Sequence, residues 1–344
     1  MSWLETELEE QPTALARLID SQRDAAARIA RIFERDDVRY ILIASRGSSS
    51  NAARYAQYLL GRAHRVPVMF ATPSLYTIYE QPPRLDGAVV IGISQSGASP
   101  DVGSVLAEAR RQGRPTIAVT NNPVSPLARE ADELLVLVAG EEHAVAATKT
   151  YLNSLGAVAL LFAAADGDVA QAQLAEMPDA VAAQLELSLA AAPALEEYAD
   201  AVGATVVARG VNYGTAFEIA LKIRELSGLV VEAYSPADLM HGPIAAIRPG
   251  WPVVVVAPSG PALPSVEDVV PPLRERRAQI IAVSDVESVL GAARTRLSLV
   301  PGVPEWLSPL TAVIPGQLTA LRLARLRGLD VDQPAGLAKV TLTR

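Results

Sequence analysis

Two stretches, Ile41-Leu42-Ile43-Ala44-Ser45-Arg46-Gly47 and Thr205-Val206-Val207-Ala208-Arg209-Gly210, decide the fold. Each is a short apolar run that ends at Arg-Gly, and their glycines lie 210 − 47 = 163 residues apart. Ser96-Gly97 and Ser259-Gly260 also close apolar runs, and 260 − 97 is again 163. Ile117-Ala118-Val119-Thr120 answers Ile281-Ala282-Val283-Ser284 at 281 − 117 = 164. Three landmarks in near-constant register identify a tandem duplication of one unit. Further runs of the buried-strand kind are 66–71, 88–93 and 134–138. Helical patterns lie between them. One is 51–60; another is 100–112, with Ser99 placed as N-cap, Pro100 in the first turn and Gly113 as the stop. Apolar strands alternating with helices predict an α/β protein with parallel sheets, each covered by helices on both faces.

The expected organisation is a helical arm over residues 1–30, broken at Gln11-Pro12, then a first α/β domain over 31–170. An alanine-rich helical linker over 171–195 leads to a second domain over 196–327, and a tail over 328–344 has to dock somewhere. With 344 residues and 50% hydrophobic content, the chain has material for two cores, which excludes disorder for most of its length. A net charge of −8 argues against nucleic acid or an anionic membrane as partner. Cysteine is absent, which excludes disulfides, thiolate metal sites and cysteine nucleophiles and fits a reducing cytoplasm. The N-terminus is acidic where a secretory signal is basic. The longest apolar run, 155–165, is too short to span a membrane and reads as a buried helix. A cytoplasmic location is expected.

Chemistry concentrates in the loops that follow the strands. Ser94-Gln95-Ser96-Gly97-Ala98-Ser99-Pro100 links a strand to a helix, and Arg46-Gly47-Ser48-Ser49-Ser50 does the same one strand away. Unpaired amides and a positive helix end suit an anion there, above all a phosphate, although such turns also occur as turn chemistry alone. In a parallel sheet both loops emerge at the ligand-bearing edge. The glycine spacing fits neither dinucleotides nor nucleoside triphosphates, which leaves a single phosphate on a small molecule. In the second copy the corresponding turn, Ala257-Pro258-Ser259-Gly260-Pro261, has prolines where donors are wanted. Gly92-Ile93-Ser94-Gln95-Ser96 nearly matches a serine-hydrolase elbow, but its fifth residue is Ser. His143 beside Glu141 and Glu142 reads as a solvated acidic turn, and His64 as a surface residue.

On the helical stretch 213–227, Glu218, Lys222 and Glu225 recur at spacings of four and three, on one face. A solvated salt-bridge face is the plain reading. However, the helix opens at the ligand-bearing edge, and Leu239-Met240-His241-Gly242-Pro243 follows it. A carboxylate, an amine and an imidazole near a phosphate loop are what enolisation of a sugar phosphate requires.

These motifs resemble the SIS (sugar isomerase) family, specifically the isomerase half of the amidotransferases that make glucosamine 6-phosphate. The resemblance runs from Glu7-Leu8-Glu9-Glu10-Gln11-Pro12 through Ser94-Gln95-Ser96-Gly97, Ala146-Ala147-Thr148-Lys149, Ala220-Leu221-Lys222-Ile223-Arg224-Glu225 and His241-Gly242-Pro243 to Asp332-Gln333-Pro334-Ala335-Gly336-Leu337-Ala338-Lys339. It implies two flavodoxin-like SIS domains. The stretch lacks a glutaminase half, so the expected relatives are the glutaminase-free amino-sugar-phosphate deaminases and isomerases. By resemblance, Ser49, Ser94, Gln95, Ser96 and Ser99 bind phosphate and sugar, with Thr148 close by. Glu225 resembles the base that shuttles a proton between C1 and C2, and Lys222 is its neighbour. His241 resembles the ring-opening residue, contributed across a homodimer interface. Lys339 resembles the tail lysine that closes over the sugar and can form an imine.

There are departures from the family pattern. Arg46 and Ser48 stand in its Gly-Thr-Ser turn, where Arg46 can add a cation, and Ala98 and Ser99 replace Glu and Thr. The expected activity is conversion of glucosamine 6-phosphate to fructose 6-phosphate and ammonia, without metal or organic cofactor. A dehydratase acting on N-acetylglucosamine 6-phosphate through the same base is the alternative, and a non-catalytic phosphosugar sensor is another.

Overall fold

The computed structural model describes residues 1–340, so the last four positions of the expected tail lie outside the described residues. Two compact units emerge. One comprises 10–143 and 147–178 together with the chain from Ala338; the other comprises 1–9, 144–146 and 179–337.

The first unit holds strands β1 (Tyr40–Ser45), β2 (Val68–Phe70), β3 (Ala88–Ile93), β4 (Thr116–Thr120) and β5 (Glu133–Val136), all parallel, in the order β2-β1-β3-β4-β5. Leu42, Ala44, Val90 and Ala118 point to one face, where they pack on Val102, Val105, Leu106 and Ala109 of the helix Pro100–Arg111. Ile41, Ile43, Val89 and Ile91 alternate to the other face and are also buried. Burial on both faces explains why these strands read as continuous apolar runs. The apolar run 155–165 lies in the helix Lys149–Asp166, which is buried from Lys149 to Ala163. None of the described helices is long and apolar enough to cross a membrane.

The second unit repeats the plan. Strands β6 (Gly203–Val207), β7 (Val230–Tyr234), β8 (Pro252–Val256), β9 (Gln279–Ser284) and β10 (Thr295–Ser298) lie parallel in the order β10-β9-β8-β6-β7. Read from β6 as first, this is the same permutation as in the first sheet. The helices Tyr213–Ser227 and Pro309–Leu326 pack closely, and a Cβ at Gly316 would come within 2.2 Å of Ile219.

The stretch 1–30 divides between the units instead of forming a separate arm. Helix α1 (Trp3–Glu9) belongs to the second unit, where the Asp332 carboxylate accepts from the amides of Trp3 and Leu4 and so caps its N-terminus. Helix α2 (Gln11–Phe33) buries Leu15, Leu18 and Ile29 in the first unit and packs on Lys149–Asp166. Its apolar stripe at helical spacing supplies the reason.

Candidate functional site

In the first unit, Ser45 at the end of β1 sits opposite Ile93 at the end of β3, so the loops that follow them emerge side by side. Ser48, Ser49 and Ser50 do not precede the helix, as expected, but form the first turn of helix α3 (Gly47–His64). Their backbone amides therefore belong to a helix N-terminus. In the neighbouring loop the Gly97 amide donates to the Ser94 carbonyl and hydroxyl, and the Ala98 amide to Ser96 Oγ. Ser99 is the N-cap residue of Pro100–Arg111, but its hydroxyl makes no capping bond. Among the described residues, the amides of Gln95, Ser96 and Ser99 make no hydrogen bond. Gly97 has φ +62°, and a Cβ there would lie 2.1 Å from Ser125 Oγ, so only glycine closes the turn. Arg46 stands at the entrance with its Nε donating to buried Asp101 Oδ2 at 2.7 Å.

The matching loop of the second unit is already filled by carboxylates. Asp285 accepts from the Ser259 amide and hydroxyl at 2.7 and 2.6 Å, and Glu305 accepts from the Ala262 amide at 2.8 Å. Any phosphate there would meet two negative charges in place of free donors.

The second unit instead carries titratable side chains on the helix Tyr213–Ser227. Lys222 is buried, with Nζ 2.5 Å from Glu225 Oε2 and 3.6 Å from the buried Glu218 carboxylate. The plain reading of this row as a solvated face is thereby corrected: the face is turned inward, and only Glu225 keeps an edge exposed, at 25%. That edge borders a cavity of about 440 Å³, also lined by Arg224, Asp330, Gln333 and Leu337. His241 is exposed, with Nδ1 2.6 Å from the Ala237 carbonyl. A carbonyl only accepts, so Nδ1 donates in this contact and Nε2 is left as the ring's other nitrogen. Nearby, the Ser235 hydroxyl, against a small opposing effect of burial, holds the Asp238 carboxyl below its usual range, helped by Tyr213 and the charges of Arg209 and His241.

Glu142 corrects the solvated-turn reading of 141–143. Its side chain is fully buried and accepts from the Thr148 and Thr150 amides, Thr150 Oγ1 and, at 2.6 Å, Lys339 Nζ. Burial alone would raise its pKa; the Lys339 ammonium and then the hydrogen bonds from Lys339 and Thr150 outweigh burial and hold the carboxyl below the usual range. Lys339, at 23% side-chain exposure, is thus anchored by Glu142 and ties its tail segment to the first unit. Thr148 opens the helix Lys149–Asp166 with a buried Oγ1 that has no hydrogen-bond partner among the described residues. His64 is half-buried, stacked at a tilt on Phe33 4.8 Å away, and burial lowers its pKa.

Sequence reasoning missed Glu142 and Asp101. The repeat register offered a signal for the first, since Glu305 minus Glu142 is again 305 − 142 = 163. For Asp101 there was none, because an acid in a first helical turn is commonplace.

The sequence matches the SIS domain family over residues 36–164 and 197–327, more than half of its length. The chain belongs to the SIS domain family. Its SIS relatives include the glutamine–fructose-6-phosphate aminotransferase (isomerizing) of Zymomonas mobilis, 33% identical over 353 aligned positions that cover 98% of this chain. This chain spans 58% of that relative's length. The C-terminal domain of glucosamine-fructose-6-phosphate aminotransferase from Francisella tularensis superposes with a TM-score of 0.86 at 26% identity, covering 97% of this chain and 98% of that one. Glucosamine-6-phosphate deaminase from Thermotoga maritima shares the fold, with a TM-score of 0.78 at 21% identity over 99% of this chain and 100% of that one.

Proposed function

We propose that this SIS protein is an amino-sugar-phosphate isomerase of the deaminating kind, which converts glucosamine 6-phosphate to fructose 6-phosphate and ammonia. The observation that carries the reading is the Lys222–Glu225 pair, a carboxylate with one edge open to a cavity and the other held by a buried ammonium. The free amides at Gln95, Ser96 and Ser99 supply donors for the 6-phosphate. His241 moves the proton that opens the pyranose ring. Glu225 then takes the C2 proton of the open-chain aldehyde; the C–H electron pair becomes the C1–C2 double bond as the carbonyl π pair moves to O1, which takes a proton from solvent, giving an enolamine. Lys222 tempers the charge around that proton transfer. Return of the proton to C1 leaves an imine at C2; water adds there and ammonia departs.

The Zymomonas relative's name, an isomerizing aminotransferase on fructose 6-phosphate, is consistent with this substrate class.

The test is a proton-NMR product screen in D₂O with glucosamine 6-phosphate and its N-acetyl form. Fructose 6-phosphate, ammonium and deuterium at C1 are expected from the first. Loss of the C3 hydroxyl from the N-acetyl sugar would assign the dehydratase reaction instead. Binding without any conversion would leave a sensor.

A further inference from the structure

We propose that Asp101 is a positioning residue that aims Arg46 at the phosphate of the substrate, so that the pair selects phosphorylated over neutral sugars. The proposal deepens the reading above and rests on the Ser94 loop as the phosphate receptor.

Asp101 lies in the first turn of the helix Pro100–Arg111 and is wholly buried, 0% exposed. Its Oδ1 accepts from the Val102 amide and its Oδ2 from Arg46 Nε. A bare buried carboxylate beside an anion loop would repel the anion and be costly in itself. Here the pair is polarised. The negative end is sealed inside, while the Arg46 side chain is 49% exposed.

A guanidinium is planar, with one N–H on Nε and four on the terminal nitrogens. Bonding Nε to Asp101 turns the other four away from the carboxylate. Among the described residues, these terminal nitrogens make no hydrogen bond. Arg46 follows Ser45, which lies across the ladder from Ile93, the residue before Ser94. A charged fork, held at one corner and open at the other two, thus stands beside a loop with free amides, the arrangement that suits a phosphate.

The duplicated unit provides an internal control. Arg46 plus 163 is Arg209, so the arginine recurs, but 101 plus 163 is Pro264, and among the described residues Arg209 makes no salt bridge within 4 Å. That copy is also the one whose loop amides are taken by Asp285 and Glu305. The anchored arginine occurs only beside the loop that has donors to offer.

The decisive variant is Arg46→Lys. A lysine can neutralise Asp101 or reach the phosphate, but one ammonium cannot present a fixed fork to both. Full-length wild type, Arg46→Lys, Asp101→Asn and the double variant are compared by steady-state kinetics on glucosamine 6-phosphate. Calorimetric titration with fructose 6-phosphate and inorganic phosphate, and thermal unfolding, complete the set. In Arg46→Lys, a Tm close to wild type is expected, with KM and both dissociation constants raised about 10- to 100-fold and kcat within a few-fold. Asp101→Asn raises KM likewise, and the double variant is no worse than the poorer single one, because both changes break one unit. Unchanged binding in a folded Arg46→Lys protein, or a fall in kcat at constant KM, would overturn the proposal and leave the phosphosugar reading standing. Wild type that binds neither fructose 6-phosphate nor phosphate would overturn both.

Discussion

The chemistry proposed here rests on one carboxylate, Glu225, which keeps an open edge while its neighbours Glu218 and Lys222 are sealed in. Glu218 is the second acid needed to hold a buried ammonium, since one partner alone rarely offsets the desolvation of both charges. Replacement of Glu225 by Gln keeps the shape and the hydrogen bond from Lys222 but removes the base. Phosphosugar affinity should stay within a few-fold, while turnover falls about 10²- to 10⁴-fold, the range for a positioned general base. Solvent-deuterium exchange at C2, followed by NMR, should fall in parallel. A variant that exchanges deuterium at the wild-type rate would move the base elsewhere, with Glu218 too buried to take over.

At the scale of elements, the site is a set of strand ends and helix starts. The parallel strands and their duplication were legible in the sequence because burial on both faces forces continuous apolar runs, and those runs carry the 163-residue register; the order of the strands in each sheet was not. The Ser94 loop was legible for the same reason. The roles of Glu142 and Asp101 were not, because a buried acid is recognised by its partners, and Lys339 and Arg46 are 197 and 55 residues away in sequence. The helix start at Lys149 depends on Glu142, which takes the Thr148 and Thr150 amides. Its carboxyl is held below the ordinary value of 4.5, so its contribution to stability is present above that pH and is lost as pH falls through the lower native value. Glu142→Gln should therefore cost stability at neutral pH, at or below the roughly 3–5 kcal/mol of a broken buried pair, because Lys339 can return to water. The gap in Tm between variant and wild type should close below about pH 4.5. Parallel Tm curves between pH 3 and 7 would mean that folding leaves the Glu142 carboxyl unshifted.

For the whole molecule, the resemblance to the SIS family implies that His241 serves the partner's pocket in a two-fold dimer, which subunit mixing tests. Glu225→Gln and His241→Ala protomers, each nearly inactive, are dissociated, mixed and allowed to reassociate. A mixed dimer then holds one pocket with both lesions and one with neither. Random pairing makes about half the dimers mixed, so activity should return to roughly a quarter of wild type. Verified subunit exchange without recovery would return His241 to its own protomer's chemistry.

The cap on helix α1 ties the protein's assembly to its synthesis. The amide of Trp3 and its acceptor on Asp332 are 329 residues apart. At about 5–20 residues per second, translation leaves roughly 20–60 s between the appearance of donor and acceptor. By the end of that interval the first unit's strands and the helix Lys149–Asp166 have been made, whereas α1 has lacked its N-terminal anion until then. The residues of the first sheet are thus available to pair before α1 can receive its cap. Replacement of Asp332 therefore removes a cap that depends on contact between residues 329 positions apart, and leaves the strands of the first sheet untouched.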